Sequence, residues 1–544
     1  MISNRREFLK VGVCSGLNVA ALSAASGADA RREAENPASG RRPVLYNGDE
    51  DYYYFRGPER MDRQYLEDIV NHLASAKTTI FSNAFYVAGR CWYGTKEGDR
   101  FDNDPYYEYS PATGRFGDIT YWREVSNFRR LLAEGNDPLQ VFAETCHKRG
   151  MKFLACLRMN DRHMIYIEHP PEFIRQHPEM SLKRKDPKAR VGMDFQHPEV
   201  RDYVFTPMKE MATRYDIDGL ELDWMRWCQM FSDDVPREKR VSIMTDYHRE
   251  IRRMLDEAGK RKNRRLLLSI RVPQTLDECG DLGFDVATYV KEGLIDILCP
   301  SDFLFLDPRM DVTAFVSITR GSNVLLMPSL HASPGWACGY ASRENLRAVA
   351  HSYYQQGASG LSVYNWYQPC AINRPEDFKA LEEAGNPHAL ALGRRDYVFN
   401  PLWGGGRKSP TGRLIDWQAR LPRSTPGKRE TYPFTVKEDF KKVRATLAWK
   451  IENLTLEDEV RIDVNGKPLD ARQYRMTCFP FGKNEGMTMF NSSWVAGPYY
   501  LCELDNASSL LKDGPNEIGI TLIRPNPQLN GSITLFETHV VVQP

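Results

Sequence analysis

The stretch Asp216-Ile217-Asp218-Gly219-Leu220-Glu221-Leu222-Asp223-Trp224-Met225-Arg226 alternates apolar and acidic residues with a period of two. That period is a β-strand's, so Glu221 and Asp223 share one face while Leu220 and Leu222 share the other. Two carboxylates on one strand face are costly to bury unless they are paired, hydrogen-bonded or used. The strand therefore marks either an ion-pair network or a place for acid–base chemistry.

Seven more short apolar runs surround it, giving eight in all: 43–47, 78–85, 151–159, 218–225, 265–272, 295–300, 323–328 and 360–366. Segments with helical periodicity lie between them, among them 63–76, 138–149, 199–215, 241–258 and 343–356. Strands alternating with helices mean parallel βαβ units, and eight such units predict a (β/α)8 TIM barrel over residues 40–393. Glu221 and Asp223 then point into the barrel near the carboxyl ends of its strands, where sites of this fold lie. The connection 85–137 is long and dense in Tyr, Asp, Gly and Pro, as loops that shape such a site often are. The basic run Lys183-Arg184-Lys185-Asp186-Pro187-Lys188-Ala189-Arg190 follows the third strand and reads as a solvated face or as an anion subsite.

From 394 to 544 the pattern changes to strand runs separated by turns, including 444–451, 459–464, 516–523 and 532–542, with Asn465-Gly466 as a hairpin turn. This part is expected to form a C-terminal β-sandwich. At the other end, Asn4-Arg5-Arg6-Glu7-Phe8-Leu9-Lys10, a weakly apolar stretch to about Ala25, and Ala28-Asp29-Ala30 read as a twin-arginine signal over 1–30. The mature chain is expected in the periplasm or outside the cell, starting near Arg31. No later stretch has the ~20 apolar residues of a membrane span, so no membrane insertion is expected after cleavage.

Basic and acidic residues are balanced, 73 against 72, so no global field exists to recruit nucleic acid. The 26 Tyr and 10 Trp suit a cleft whose ring faces stack on sugars, as they suit any large core. None of the eleven cysteines forms a CxxC pair or sits at zinc spacing with His, and no metal or cofactor is expected. Cys156 and Cys299 lie in strand-like runs and are expected to be buried. Cys478 and Cys502 are candidates for a bridge that the sequence alone leaves open.

The segment Tyr215 to Arg226 closely resembles the fourth strand of the family-10-like glycosyl hydrolases. The resemblance extends to Asn47-Gly48-Asp49, Arg158-Met159-Asn160-Asp161 and Arg271-Val272-Pro273. It implies a glycoside hydrolase on a β/α barrel, acting on a poly- or oligosaccharide that an anion subsite would make acidic or sulfated. The C-terminal part resembles the galactose-binding-like jelly rolls attached to many glycosidases. Asp218 to Trp224 also looks like the DGxDxDW strand of chitinase-like family-18 enzymes, but Met225 stands where their acid is a Glu. The proton donor must then come from elsewhere.

Glycosidic cleavage needs one acid for the leaving oxygen and one carboxylate to attack or to activate water. By analogy with retaining barrel enzymes, Asp223 is the candidate nucleophile and Asp302, beyond the sixth strand, the candidate acid. Glu221 is the alternative partner, and Asp302 also reads as a turn or cap residue. If Asp223 and Asp302 form the pair, roughly 5–5.5 Å should separate them and configuration should be retained. Asn47, Asp49, Arg158, Asn160, Asp161, His163, Arg226, Arg271, His331 and Asn365 are candidate substrate ligands at strand ends. Trp224, Trp336 and Trp366 are candidate stacking platforms. Asp223→Asn is expected to remove activity with little loss of stability, since a strand-end residue serves the site more than the core.

Overall fold

The computed structural model describes residues 40–48, 61–103, 118–161, 171–183, 192–333, 341–365, 375–400, 418–479 and 498–544, with short strands at Arg407–Lys408 and Leu414–Ile415. The segment 1–30, the basic run from 184 to 190 and the candidates Asp49, His163, Trp336 and Trp366 lie outside the described residues.

Each of the eight apolar runs becomes a parallel strand of one sheet: β1 (Val44–Gly48), β2 (Ile80–Val87), β3 (Lys152–Arg158), β4 (Gly219–Asp223), β5 (Leu267–Val272), β6 (Ile297–Pro300), β7, and β8 (Leu361–Tyr364). Strand β7 comes in two pieces, Leu325–Leu326 paired with β6 and Ser329–His331 paired with β8. One chain segment thus joins both ends of the sheet and closes the barrel. The break falls at Pro328, which has no N–H for the ladder, although its carbonyl still accepts from the Ser362 N–H at 3.1 Å. At Gly219 the chain of β5 lies close against β4, since a Cβ there would lie 2.1 Å from the Leu267 carbonyl oxygen.

The long helices are α1 (Arg63–Ser75), α2 (Asp118–Ala133), α3 (Pro138–Lys148), α4 (Pro198–Arg214), α5 (Arg237–Arg261) and α6 (Arg343–Gln356). Local chemistry sets their ends. The Asp62 carboxylate accepts from the Tyr65 N–H at 3.0 Å, Ser342 and Asn345 form a reciprocal capping box, and Gly357 ends α6 with φ +106°. Helix α2 lies in the connection expected to be loop. Its Val125, Phe128 and Leu131 recur at helical spacing and are buried, a signal masked by the turn-forming residues before it. Among the described residues, no helix is long and apolar enough to cross a membrane.

Strand alternation divides the barrel as expected. Leu220, Leu222 and Trp224 face the helices, in the core shared with Val204, Met208 and Leu255. The interior is layered. Its floor is apolar, built by Leu45, Ile80, Leu154, Leu267, Ile297, Leu325 and Met327. The next layer is polar: Cys156, Glu221 and Ser269 stand in register, as do Asn47 and Ser82. At the rim Arg158, Asp223 and Arg271 are in register, and so are His331 and Tyr364.

The C-terminal part is a β-sandwich. One antiparallel sheet contains β9 (Arg395–Phe399), β10 (Ala419–Pro422), β12 (Arg444–Glu452), β14 (Arg475–Phe479), β15 (Tyr499–Leu504) and β17 (Ser532–Gln543). The other contains β11 (Arg429–Val436), β13 (Glu459–Val464) and β16 (Gly514–Arg524). Their inner faces share one core, which includes Phe434, Trp449, Ile462 and Ile520. Asn465 and Gly466 both take positive φ in the hairpin turn after β13. Cys502 pairs with Met476 and Cys478 with Tyr500, and both thiols are free; Cys156 and Cys299 are buried and free.

Candidate active site

Asp223 ends β4 and is fully buried. Its Oδ1 accepts from the Met225 and Arg226 N–H groups at 2.9 and 3.1 Å and from Arg271 Nε at 2.9 Å. Its Oδ2 accepts from Arg271 Nη2 at 2.9 Å. The pair is thus a two-point carboxylate–guanidinium fork, with two main-chain donors added to one oxygen. Arg271 itself lies 3.9 Å from the centroid of the Tyr364 ring and donates through Nη1 to Ser301 Oγ at 3.1 Å. This saturation argues for a loss of stability in Asp223→Asn as well, because the change would weaken the pairing of a buried guanidinium.

Glu221, two residues back on the same face, is also fully buried but far less satisfied. Asn47 Nδ2 donates to its Oε1 at 2.9 Å and the Ser82 hydroxyl also holds the carboxyl down, but among the described residues Glu221 has no ion pair. Burial, reinforced by the negative charge of Asp223, pushes its carboxyl up to about 7. The two carboxylates of one strand therefore have opposite characters, one ion-paired and one holding its proton close to neutrality.

This shift predicts a pH dependence. The folded-state value lies above the ordinary 4.5, so the folded chain binds this proton more tightly than the unfolded chain. The contribution is complete below about pH 4.5 and is lost as pH rises through about 7, a change of about 3 kcal/mol. Glu221→Gln is expected to flatten that part of the profile and to exceed the wild type in stability at pH 8. Urea unfolding at pH 5 and pH 8 checks it, and an equal pH response in both proteins would assign the effect to another group.

Around this pair the rim is built from other strand ends. Arg158 donates to Asp161 Oδ2 at 3.3 Å and to the Tyr364 hydroxyl at 3.1 Å. Arg226 Nε lies 3.8 Å from the same Asp161 oxygen, and its guanidinium lies 5.5 Å from the Phe303 ring. His331 Nε2 is 2.9 Å from Ser301 Oγ, and burial, with the charges of Arg271 and Arg226, holds the imidazole well below its usual range. Asn365 takes φ +47° at the end of β8, where its N–H donates to the Asn47 carbonyl at 2.9 Å.

Two candidates take other places, and a third stands beside Arg271 with its carboxylate turned into a loop. Trp224 is buried behind the barrel against Phe195, His248 and Phe284, so it offers no platform to a sugar. The alternation that turns Glu221 and Asp223 inward turns Trp224 outward. Asn160 Nδ2 donates to the Met193 and Gln229 carbonyls at 2.9 and 2.8 Å, and its Oδ1 accepts from the Met193 N–H at 2.8 Å. It is a staple between two loops. Asp302 Oδ1 accepts from the Leu304 and Phe305 N–H groups at 3.0 and 2.9 Å, the geometry of a turn residue.

Tyr364 and Ser301 were missed by the sequence reading, though both brace Arg271. The signal for Tyr364 was present, because Leu361-Ser362-Val363-Tyr364 alternates and puts Tyr364 on the face opposite Leu361 and Val363.

The chain is thus a closed β/α barrel with carboxylates and guanidiniums in register at its carboxyl rim. The model of the family described as "Glycosyl hydrolase-like 10" matches residues 116–241, which carry β3, β4 and the loops after them. The family resemblance read from the sequence is therefore found on the segment that holds Glu221 and Asp223. No curated protein matches the chain. Among solved structures, the glycoside hydrolase domain of PgaB (BpsB) from Bordetella bronchiseptica is 13% identical, with a TM-score of 0.41, over 63% of this chain and 98% of its own. A maltogenic alpha-amylase, AmyB, from Thermotoga neapolitana is 14% identical, with a TM-score of 0.38, over 91% and 99%. Alpha-L-fucosidase isoenzyme 2 from Paenibacillus thiaminolyticus is 13% identical, with a TM-score of 0.38, over 65% and 51%.

Proposed function

We propose that this protein is an exported glycoside hydrolase acting on a poly- or oligosaccharide, with its chemistry centred on Asp223. The observation that carries this reading is the pair of inward carboxylates on β4, held in opposite states one above the other. Sites that need an acid and a base at one pH are built by pushing two titratable groups apart in this way. Asp223 Oδ2 accepts one donor among the described residues and retains a lone pair for a developing positive charge or for attack at the anomeric carbon. Glu221 replaces Asp302 as the first candidate for the proton-bearing partner, because the Asp302 carboxylate is engaged in its turn. Retention of configuration is the expected course, read by proton NMR of the first product anomer. Inversion would make Asp223 the base that activates water.

The test is release of reducing ends from a glycan panel with uncharged, uronate and sulfated members. Substrates from the charged arms are expected to be preferred if the basic run forms an anion subsite. A panel that yields no reducing ends and no unsaturated, ultraviolet-absorbing product would overturn the enzyme reading. One observation favours a second reading, a glycan-binding barrel that does not cleave: the near-saturation of Asp223 by Arg271 and two main-chain amides. In that case glycan is bound without turnover and Asp223→Asn changes affinity alone.

Export is proposed on the ordered signals of 1–30. Changing Arg5 and Arg6 together to Lys is expected to leave the protein in the cytoplasm, as cell fractionation reads. Secretion at the wild-type level would remove the twin-arginine assignment.

A further inference from the structure

The loop that follows β6, 301–312, touches the active-site pair at one end and the C-terminal sandwich at the other. At the near end, Ser301 Oγ accepts from Arg271 Nη1 at 3.1 Å, and the Asp302 and Phe303 carbonyls accept from the same nitrogen at 3.4 Å. These are contacts to the guanidinium that grips Asp223. At the far end, Arg309 leaves the loop and enters the sandwich. Its Nη1 donates to the Asn400 carbonyl at 3.2 Å and its Nη2 to the Tyr432 hydroxyl at 2.8 Å. The guanidinium also lies 5.1 Å from the Phe399 ring centroid and 5.7 Å from that of Tyr432. Tyr432 is fully buried in the sandwich core, and its own hydroxyl donates to the Phe399 carbonyl at 2.7 Å.

Between the two ends the loop is held by side chains as well. Asp307 Oδ1 accepts from the Arg309 N–H at 2.9 Å, and the Asp307 carbonyl accepts from the Tyr353 hydroxyl of α6 at 3.2 Å. Asp302 closes its own turn onto the Leu304 and Phe305 amides. The loop is therefore a short, internally braced strut and not a slack tether. Arg309 and the contacts of Arg271 thus stand at the two ends of one loop whose turns are each braced by an aspartate.

We propose that the sandwich is a clamp on this active-site loop, with Arg309 and Tyr432 as positioning residues for the Arg271–Asp223 pair. This gives the C-terminal part a role other than holding glycan. The kinetic half of the proposal rests on the glycosidase reading, whereas the clamp itself does not.

The test compares full-length wild type, Arg309→Leu and Tyr432→Phe by hydrogen–deuterium exchange and by kinetics. Tyr432→Phe keeps the ring in the core and removes only the hydroxyl that receives Arg309, so it serves if Arg309→Leu folds poorly. Faster exchange is expected in peptides covering 301–312 and also in those covering 224–228, with the rest of the barrel unchanged. A fall in kcat of about 10- to 100-fold with KM nearly constant is expected alongside, since small misplacements far from the chemistry act on kcat. Exchange that rises only beside residue 309, or nowhere, would overturn the clamp whatever the activity. Faster exchange at both segments with wild-type kcat would overturn the positioning role. If the wild type turns over no glycan, the glycosidase reading and the kinetic half fall together, and the exchange pattern alone decides the clamp.

Discussion

Arg271→Met is expected to lose about 3–5 kcal/mol of folding stability, as removal of one partner from a buried ion pair does. The magnitude follows from what is left behind. Asp223 is fully buried and, among the described residues, would keep the Met225 and Arg226 amides alone, both on the same oxygen. The Asp302 and Phe303 carbonyls, the Ser301 hydroxyl and the Tyr364 ring face would lose the group they surround. Chemical denaturation of the single variants and of the double variant Asp223→Leu/Arg271→Met separates pair from packing. The double variant is expected to regain the part of the loss that comes from the uncompensated Asp223 charge, while the Met225 and Arg226 amides and the carbonyls around Arg271 stay unpaired. A single variant within about 1 kcal/mol of wild type would mean that water reaches the pair.

Asp223→Asn is expected to lower kcat at least about 10²-fold, the loss typical when one charge-stabilising group is removed from a site. The amide keeps the shape and loses the charge that the proposed reaction sets against the anomeric centre. Its NH2 would also turn toward Arg271, donor against donor, so the change is expected to lower stability as well as activity. Activity should therefore be measured well below the melting temperature, and circular dichroism should show the variant folded there. Turnover within tenfold of wild type would take Asp223 out of the chemistry and leave it as the anchor of Arg271. A fall in kcat with unchanged glycan affinity would place it at the reacting bond.

Much of this architecture was legible residue by residue. The eight strands could be read because each is a short apolar run between helical segments, and the inward face of β4 because Glu221 and Asp223 are two apart. The same rule also put Trp224 outside, which the appeal of an aromatic next to an acid obscured. Strand β7 was read three residues short because Pro328 looks like an end, and only the pairing of Ser329–His331 with β8 shows that the strand goes on. Helix α2 was hidden by the composition of the chain before it.

The site was legible as a set of strand ends but not as a set of contacts. Nothing local distinguishes Asn160, which staples Met193 to Gln229, from Arg158, which reaches Tyr364 more than two hundred residues away. Asp302 looks like a barrel acid and like a turn residue in the same four letters, and only the tertiary structure shows its Oδ1 taking the Leu304 and Phe305 amides. Arg309 carries no motif at all, because its meaning lies in a carbonyl and a hydroxyl that belong to the sandwich.

The sequence by itself determined periodicity, and with it the element types, the barrel and the face on which each β4 side chain stands. These follow from short-range geometry, since a strand turns successive side chains to opposite sides whatever surrounds it. Only the tertiary structure decided which carboxylate meets a guanidinium and which meets neutral side chains. Glu221 and Asp223 differ in sequence by one methylene and two positions, yet burial beside Asn47 leaves one holding its proton to about pH 7 while Arg271 pairs with the other. The energy of a buried charge depends on partners brought in from distant segments, and no local pattern encodes that distance.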